Sequence, residues 1–456
     1  MCAVHLLAAS GLSRGFHGKQ VKEQNSAIVV GAGITGLTAA LLLSKKNISV
    51  TLYESDSVHG GMLAPVCFDG FELDRGSHRV HPEAHPLLLK LTAEADWRHK
   101  ERRGTLILNR RRLPYPLDPI RFIAGLGFLS SISMAYGWLR RPNALRQTVR
   151  WEKERKEVAV DEGFESFVVR RVGRSAYRRF YEPYARKVWG IEPKDLSQTV
   201  AKQRVSTTNP AQSIFKKSQR QFLYPASGMS SLIELLRKKN EDAGVQINLD
   251  TPFKLSDAEN KPTFYTGHLH SVVPDSQLSY RGLYLVYLVV EQKCLDDTDT
   301  WYAPETRYWF GRVSQPAQFS ELLGRPEQRI LCVEIPEGNW GAQQDFTKQA
   351  QELVHQLRDA KILKTPGPIL DIRQVFLPQV YPMYRRDWVH EQRRALMYLA
   401  QRGKIYPCGR QGLFLHCNMD QAVATAEAAV KHYLSGGSPM SWVTQCQNFA
   451  DFRVRD

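Results

Sequence analysis

Cysteine is sparse and unpatterned in this 456-residue chain. Cys2, Cys67, Cys294, Cys332, Cys408, Cys417 and Cys446 are odd in number, and no two form a Cys-x-x-Cys pair. That excludes a disulfide framework and a cysteine zinc site, and it reads as reduced thiols in a cytosolic setting. Histidine offers no metal site either. His81 and His85 have helical ligand spacing, but Pro82 and Pro86 flank them and no third ligand is evident, so no metal is expected. Long apolar runs are also scarce. Phe122–Leu139 is 18 residues without a charge, the lower limit for a span, and three Gly, three Ser, a Tyr and a Trp dilute it. It suits a buried or groove-lining helix first, then an element dipping into one leaflet with Arg121, Arg140 and Arg141 at the headgroups, and last a true span. Residues Met1–Gln24 lack a secretory pattern and hold a single acid, Glu23. They read as a floppy extension, with a transit peptide as the alternative.

Acidic residues are the other shortage. There are 46 against 62 Lys and Arg, a formal net charge of +16, with a pI near 9.5. Such an excess asks for an anionic partner: nucleic acid, a membrane surface, or a phosphate- or carboxylate-bearing substrate. It is concentrated. Arg98 to Arg220 holds 28 basic and 11 acidic residues, which accounts for the whole imbalance. At 43% hydrophobic and 24% charged, with no repeats, the rest is ordinary globular chain.

What is present begins with a complete βαβ unit. Ser26–Val30 reads as a buried strand, Gly31-Ala-Gly33-Ile34-Thr35-Gly36 as a tight loop, Leu37–Lys46 as a helix, and Ile48–Tyr53 as a second strand ending at Glu54. Gly31 allows the turn, Gly33 lets backbone approach a pyrophosphate, and Gly36 lets helix and strand pack closely. The helix N-terminus aims bare N–H groups at phosphates. Glu54 can accept from both adenosine ribose hydroxyls, which disfavours NADP. Gly60-Gly61 follows, then a hairpin, Phe68–Leu73, with an Asp-Gly turn.

Farther on, Asp161–Tyr181 is basic and helical, with a break or kink expected at Pro183. Ser231–Asn240 is a helix and Val245–Leu249 a strand. The β-prone Arg281–Val290, Arg329–Glu334 and Val375–Tyr384, with the aromatic Trp301–Phe310, suggest a mostly antiparallel sheet. Asp345–Ala360 is a helix, and Asp420 is placed to cap a last one ending at Leu434.

These motifs, in this order, resemble the FAD-dependent amine oxidase superfamily, in its protoporphyrinogen oxidase, phytoene desaturase and UDP-galactopyranose mutase branch. The match runs from Ala27 to Leu434. It rests on the glycine loop with Glu54, Gly60-Gly61, Asp74-x-Gly76-Ser77-His78, Tyr184 through Lys187-Val-Trp189-Gly190, Tyr224-Pro225 through Gly228-Met229, and Gly409-Arg410 through Met419-Asp420-Gln421. The resemblance implies an α/β fold: a discontinuous Rossmann-like FAD-binding domain with a helical insertion and a mixed or antiparallel-sheet substrate domain. The corresponding division is an N-terminal extension 1–25; FAD-binding parts 26–97, 221–270 and 396–435; a basic helical insertion 98–220; a substrate sheet 271–395; and a loosely held tail 436–456. FAD is the implied cofactor. Gly31, Gly33, Ile34, Thr35, Gly36, Glu54, Ser55, Gly60, Gly61 and Met62 would line its adenosine and pyrophosphate. Gly76, Ser77 and His78 would run past the isoalloxazine ring, Gly409 and Arg410 would return to the pyrophosphate, and Met419, Asp420 and Gln421 would start a helix facing the flavin. Met62 departs from the family, which often has Arg or Lys there.

Two reactions share this scaffold: oxidation or desaturation of a small molecule by hydride transfer, and isomerisation of a nucleotide sugar. His78, Arg281 and Arg312 are the candidate catalytic residues. Trp189, Arg204, Tyr280, Arg281 and Arg312 are the candidate substrate contacts. The mutase's second arginine four residues after the first is absent, because Arg204 is followed by Thr208. That favours an oxidoreductase acting on a hydrophobic or carboxylate-bearing small molecule, with the mutase as alternative. The basic insertion then reads as a substrate- or membrane-facing surface of a cytoplasmic, or peripherally membrane-bound, enzyme rather than a nucleic-acid site, with a solvated basic face that keeps the protein soluble as the alternative.

Overall fold

The computed structural model describes residues 25–115, 132–133, 136–137, 161–204, 221–258, 260–340, 346–364 and 367–454. The N-terminal extension, most of Phe122–Leu139 and Thr208 lie outside these residues. Among the described residues, no helix is long and apolar enough to cross a membrane, and no group of three or more His, Cys, Asp or Glu could hold a metal ion.

A five-stranded parallel sheet carries the glycine loop. Its order is Ile405–Pro407, Thr263–Tyr265, Ser26–Val30, Ser49–Tyr53, Gln246–Asn248. Three separate stretches of chain therefore build one nucleotide sheet. Ser26–Val30 lies at its centre and buries four of its five residues, which is why its β-branched run has no polar face. The helix Ile34–Ser44 is apolar nearly all round, because it packs against the sheet and against two further helices, Ser230–Asp242 and Met419–Leu434.

The second sheet has seven strands in the order Ile369–Pro382, Tyr280–Glu291, Gln328–Pro336, Arg312–Ser314, Thr300–Tyr302, Gly104–Leu108, Arg111–Tyr115. Its neighbours are antiparallel except Thr300–Tyr302 against Gly104–Leu108. In Tyr280–Glu291 the period of two is visible in the burial. Val286, Leu288 and Val290 join Leu353 and Leu357 of the helix Phe346–Asp359 on one face. Leu283, Leu285 and Tyr287 join Val66, Phe68 and Leu73 of the hairpin on the other. That second face also meets the 76–78 loop. A Cβ on Gly76 would lie 3.4 Å from Glu334 and 3.7 Å from Leu285.

Several expectations are corrected. The basic helix breaks at Gly173, whose φ is +85°, and not at Pro183. At Pro183 the chain stays helical: a π-turn over Tyr177–Tyr181 runs directly into Glu182–Trp189, so the proline follows a local change of helical winding and not an end. The last helix is capped by Asn418 in a capping box with Gln421, while Asp420 accepts from the His85 N–H at 3.0 Å. Beyond Gly436 the chain is docked: Pro439–Cys446 is a helix whose Trp442 is fully buried and donates to the Pro407 carbonyl at 2.8 Å. Of Trp301–Phe310, only the first two residues are in a strand, which runs Thr300–Tyr302. The helix Trp388–Gln401 is an addition. Its buried Trp388, Gln392, Ala395, Leu396 and Leu399 follow the helical period that would have revealed it.

Candidate cofactor and substrate site

The glycine loop is shaped by what its missing side chains avoid. Gly31 has φ +98°, and a Cβ there would overlap the Thr266 hydroxyl; a Cβ on Gly36 would overlap the Gly31 carbonyl oxygen. Gly33 differs, being extended with only the Gly60 oxygen near its Cβ position, at 3.8 Å. Gly33 and Gly60 form a parallel bridge, and the Gly60 N–H donates to Ala32 O at 2.9 Å. Gly60 and Gly61 both have positive φ, and a Cβ on Gly61 would sit 3.6 Å from Gly33 Cα. Two glycine turns thus run side by side at the start of Ile34–Ser44, leaving a slot that side chains would fill. Ile34 and Thr35 are buried in the first helical turn, and the backbone at Gly409 closes onto Thr35, 2.7 Å from where its own Cβ would lie. Glu54 Oε2 accepts from the Ala32 N–H at 2.7 Å. Its Oε1 accepts from the Asp56 N–H at 2.9 Å and from the Ser55 hydroxyl at 3.2 Å. Met62 packs into the apolar cluster beneath the second sheet. The cation at this turn is instead Arg75, whose Nη1 donates to Gly61 O at 3.1 Å. The sequence reading passed over Arg75, although it stands inside the Asp74-x-Gly76 motif.

The Gly76–His78 loop is anchored from several sides. Asp74 accepts from Tyr224 OH at 2.8 Å and from the Met229 N–H at 2.9 Å, and its carbonyl accepts from Tyr287 OH at 2.7 Å. Burial pushes the Asp74 carboxyl up to about 6, against the pull of those hydrogen bonds. The Ser77 N–H donates to Glu334 Oε1 at 2.9 Å. Glu334 also holds Arg312 through two contacts of 2.7 Å, Nε to Oε1 and Nη2 to Oε2. Burial works against the Arg312 charge, and Glu334 overrides it, so its pKa is raised. Burial first, then the nearby Arg312 and Arg410 cations, lower His78 to about 4, so its imidazole is neutral at physiological pH.

Arg410 lies close to His78 electrostatically. Its guanidinium donates to Cys417 O at 2.9 Å and Val380 O at 2.8 Å, and it touches His416 Nδ1 at 3.1 Å. These bonds tie the loop ahead of Met419–Leu434 to the second sheet, beside His78. The Asp420 and Gln421 side chains are used locally. Gln421 accepts from the Asn418 N–H at 2.9 Å and donates to Arg453 O at 2.8 Å. What the turn Met419-Asp420-Gln421 offers a cofactor is helix N-terminal backbone.

The expected substrate residues are brought together unevenly. Trp189 is buried in the main core, edge-on to Tyr381 and His416, so a stacking platform there would have to be opened. Tyr280 donates to Gln411 O at 3.2 Å and packs against His268, His270 and Phe414. Arg281 is spent on main chain: Nη1 donates to Lys187 O at 2.7 Å, Nε to Glu337 O at 2.9 Å, and Nη2 to Glu337 O as well. Gly190 makes room for it, since a Cβ there would sit 2.7 Å from the guanidinium carbon. Arg312 pairs with Glu334. Arg204 ends the helix Gln198–Arg204.

FAD fits what is present. Arg75 Nε, His78 Nδ1, Arg410 Nε and Gln411 Oε1 are buried polar atoms without hydrogen-bond partners, and all lie on the motifs that surround the slot. Such atoms are costly unless a ligand or water completes them. A diphosphate-bearing dinucleotide with a polar ring system supplies both acceptors and donors.

Comparison with known proteins agrees. The family model for flavin-containing amine oxidoreductases matches residues 34–259, and that for UDP-galactopyranose mutase matches 179–352. A dTDP-fucopyranose mutase of Escherichia coli is 26% identical over 178 residues, which are 39% of this chain and 45% of that protein. The chloroplastic/mitochondrial protoporphyrinogen oxidase 2 of Arabidopsis thaliana is 26% identical over 177 residues, 37% of this chain and 33% of that one. The matched stretch thus spans less than half of each relative. Among solved structures, reduced UDP-galactopyranose mutase superposes with a TM-score of 0.76 at 17% identity, covering 93% of this chain and 99% of that one. A candidate protoporphyrinogen oxidase from Exiguobacterium sp. 255-15 superposes at 0.70, also at 17% identity, covering 90% and 99%. At such identity the likeness is one of fold. With the glycine slot, Glu54 and the anchored Gly76–His78 loop in place, the chain is similar to the flavin-containing amine oxidoreductases and the UDP-galactopyranose mutases in sequence and shares their fold, which implies FAD as its cofactor.

Proposed function

We propose that this chain is an FAD-dependent oxidoreductase that oxidises or desaturates a hydrophobic or carboxylate-bearing small molecule. The observation that carries this is the state of two arginines. A sugar diphosphate needs free cations on opposite sides. Arg281 is spent on backbone carbonyls and Arg312 on Glu334.

Bound FAD supplies a hydride acceptor at its N5. Arg410, in no ion pair among the described residues, and the N-terminus of Met419–Leu434 favour negative charge developing beside them. His78 brings a neutral imidazole and no competing charge. Trp189, Tyr381 and His416 pack into one aromatic cluster that excludes water. The exposed Ile132 and Tyr136, four residues apart, lie by Ser175 near the exposed Arg174, Arg178 and Arg179, which suits peripheral contact with an anionic membrane.

A second reading, UDP-galactopyranose mutase-like isomerisation through reduced flavin, is favoured by the mutase family match over 179–352, which contains Trp189, Tyr280, Arg281 and Arg312. The purified yellow protein separates the two. Under anaerobic conditions, a porphyrinogen or polyene that bleaches the flavin supports oxidation. Conversion of UDP-galactopyranose to the furanose only after dithionite reduction overturns it in favour of the mutase.

A further inference from the structure

Arg79 directly follows His78 and belongs to none of the motifs that surround the glycine slot. Its side chain is 9% exposed. The guanidinium carbon lies 5.0 Å from the Phe222 ring centroid and 5.0 Å from that of Phe319, and those two rings meet edge to face at 5.7 Å. Nη2 donates to the Thr300 hydroxyl, lies 3.4 Å from the Ser77 hydroxyl, and is 3.7 Å from Asp299. Next along the chain, Val80 and Leu223 exchange two backbone hydrogen bonds, of 3.1 and 2.8 Å. One side chain therefore ties the Gly76–His78 loop to the strand Gln221–Pro225, to the turn at Phe319 and to the strand Thr300–Tyr302. The first of these pairs with Trp97–Glu101 in a two-stranded sheet, and the last belongs to the seven-stranded sheet.

We propose that Arg79 is a positioning residue for the flavin half of the cofactor. Seated in the corner that two aromatic rings make, its rigid planar fork fixes where Ser77 and His78 stand, and through them the wall against which the flavin ring is held. Lysine could supply the charge but not the fork. The proposal rests on FAD as the cofactor and is independent of which reaction the enzyme performs.

The test separates the two halves of FAD. The full-length chain, freed of flavin, is titrated with FAD and, separately, with ADP, which reaches the glycine slot and Glu54 but not the Gly76–His78 loop. Arg79→Gln is expected to raise the Kd for FAD at least tenfold while the Kd for ADP stays within twofold. Arg79→Lys and Phe319→Leu are expected to show the same selective loss to a smaller degree. Phe319→Leu leaves every Arg79 hydrogen bond in place, so it decides by the same criterion if the Arg79 variants fail to fold. Equal weakening of FAD and ADP would reduce Arg79 to a general structural role, and unchanged affinity for both would remove it from the cofactor site. Either result overturns the proposal.

Discussion

Arg312 and Glu334 face each other across adjacent antiparallel strands and join through two contacts of 2.7 Å, while the same carboxylate accepts from the Ser77 N–H at 2.9 Å. One buried acid thus neutralises Arg312 and braces the Gly76–His78 loop. Replacing it strands a cation and frees a backbone donor. Glu334→Ala is expected to cost about 3 kcal/mol, within the range for breaking a buried pair. Chemical denaturation should show the loss, with released flavin as the second sign.

The two central glycines should fail differently. A Cβ on Gly33 has 3.8 Å to its nearest neighbour, so Gly33→Ala should fold with the thermal midpoint of the flavin-free wild type. The added methyl fills the slot, and FAD affinity should fall at least ~tenfold, about 1.4 kcal/mol. Gly36→Ala, which overlaps the Gly31 carbonyl, should give misfolded protein. Calorimetry and flavin titration distinguish the two outcomes.

Acid should weaken the fold through His78. Its pKa is about 4 when folded, against an ordinary imidazole value of 6.5, so between those pH values only the unfolded chain takes up the proton. The contribution is complete above pH 6.5 and is lost as pH falls toward 4, on the order of 3 kcal/mol. His78→Gln should flatten the pH dependence of stability in that window. The remaining slope includes His268, which burial also lowers to about 4.

Asp74 acts in the opposite sense. Its carboxyl is raised to about 6 from 3.8, so it favours the folded state most below 3.8 and loses that contribution as pH rises through 6. Asp74→Asn keeps an acceptor for the Met229 N–H and should match or exceed wild-type stability at pH 7. Asp74→Ala leaves Met229 N and Tyr224 OH without their acceptor and should cost about 2 kcal/mol. Denaturant melts of the two variants at pH 5 and pH 7 test this.

The C-terminal helix is structural. Trp442→Ala removes a fully buried indole and its bond to Pro407 O, and should destabilise by about 3–5 kcal/mol. A thermal midpoint unchanged from wild type would restore the picture of a loose tail.

Much of the cofactor site was legible because its signals are local. Gly31 to Glu54 is one βαβ unit of contiguous chain, and its strand, turn and helix each follow from residues a few places apart. The Asp-Gly turn of the hairpin was equally plain, with Asp69 and Gly70 both at positive φ. Helix ends were less so. Pro183 and Asp420 carry the right residue types, but Gly173 and Asn418 took the positions, since a break needs a backbone conformation and a cap needs geometry.

What the sequence alone determined is the nucleotide-binding architecture of this protein: a parallel sheet, a glycine slot, a carboxylate at the end of its second strand, and the family resemblance these carry. What only the tertiary structure decided is how its charges are spent. Arg281 reaches a carbonyl 94 residues away at Lys187, Arg312 meets Glu334 across a strand pair, and Arg75 takes the place at the glycine turn that Met62 leaves without a cation. A charge pattern along the chain gives the number of cations. Which of them stay free for a substrate depends on the carbonyls and carboxylates that folding places beside them, because a buried cation takes whatever partner its position allows.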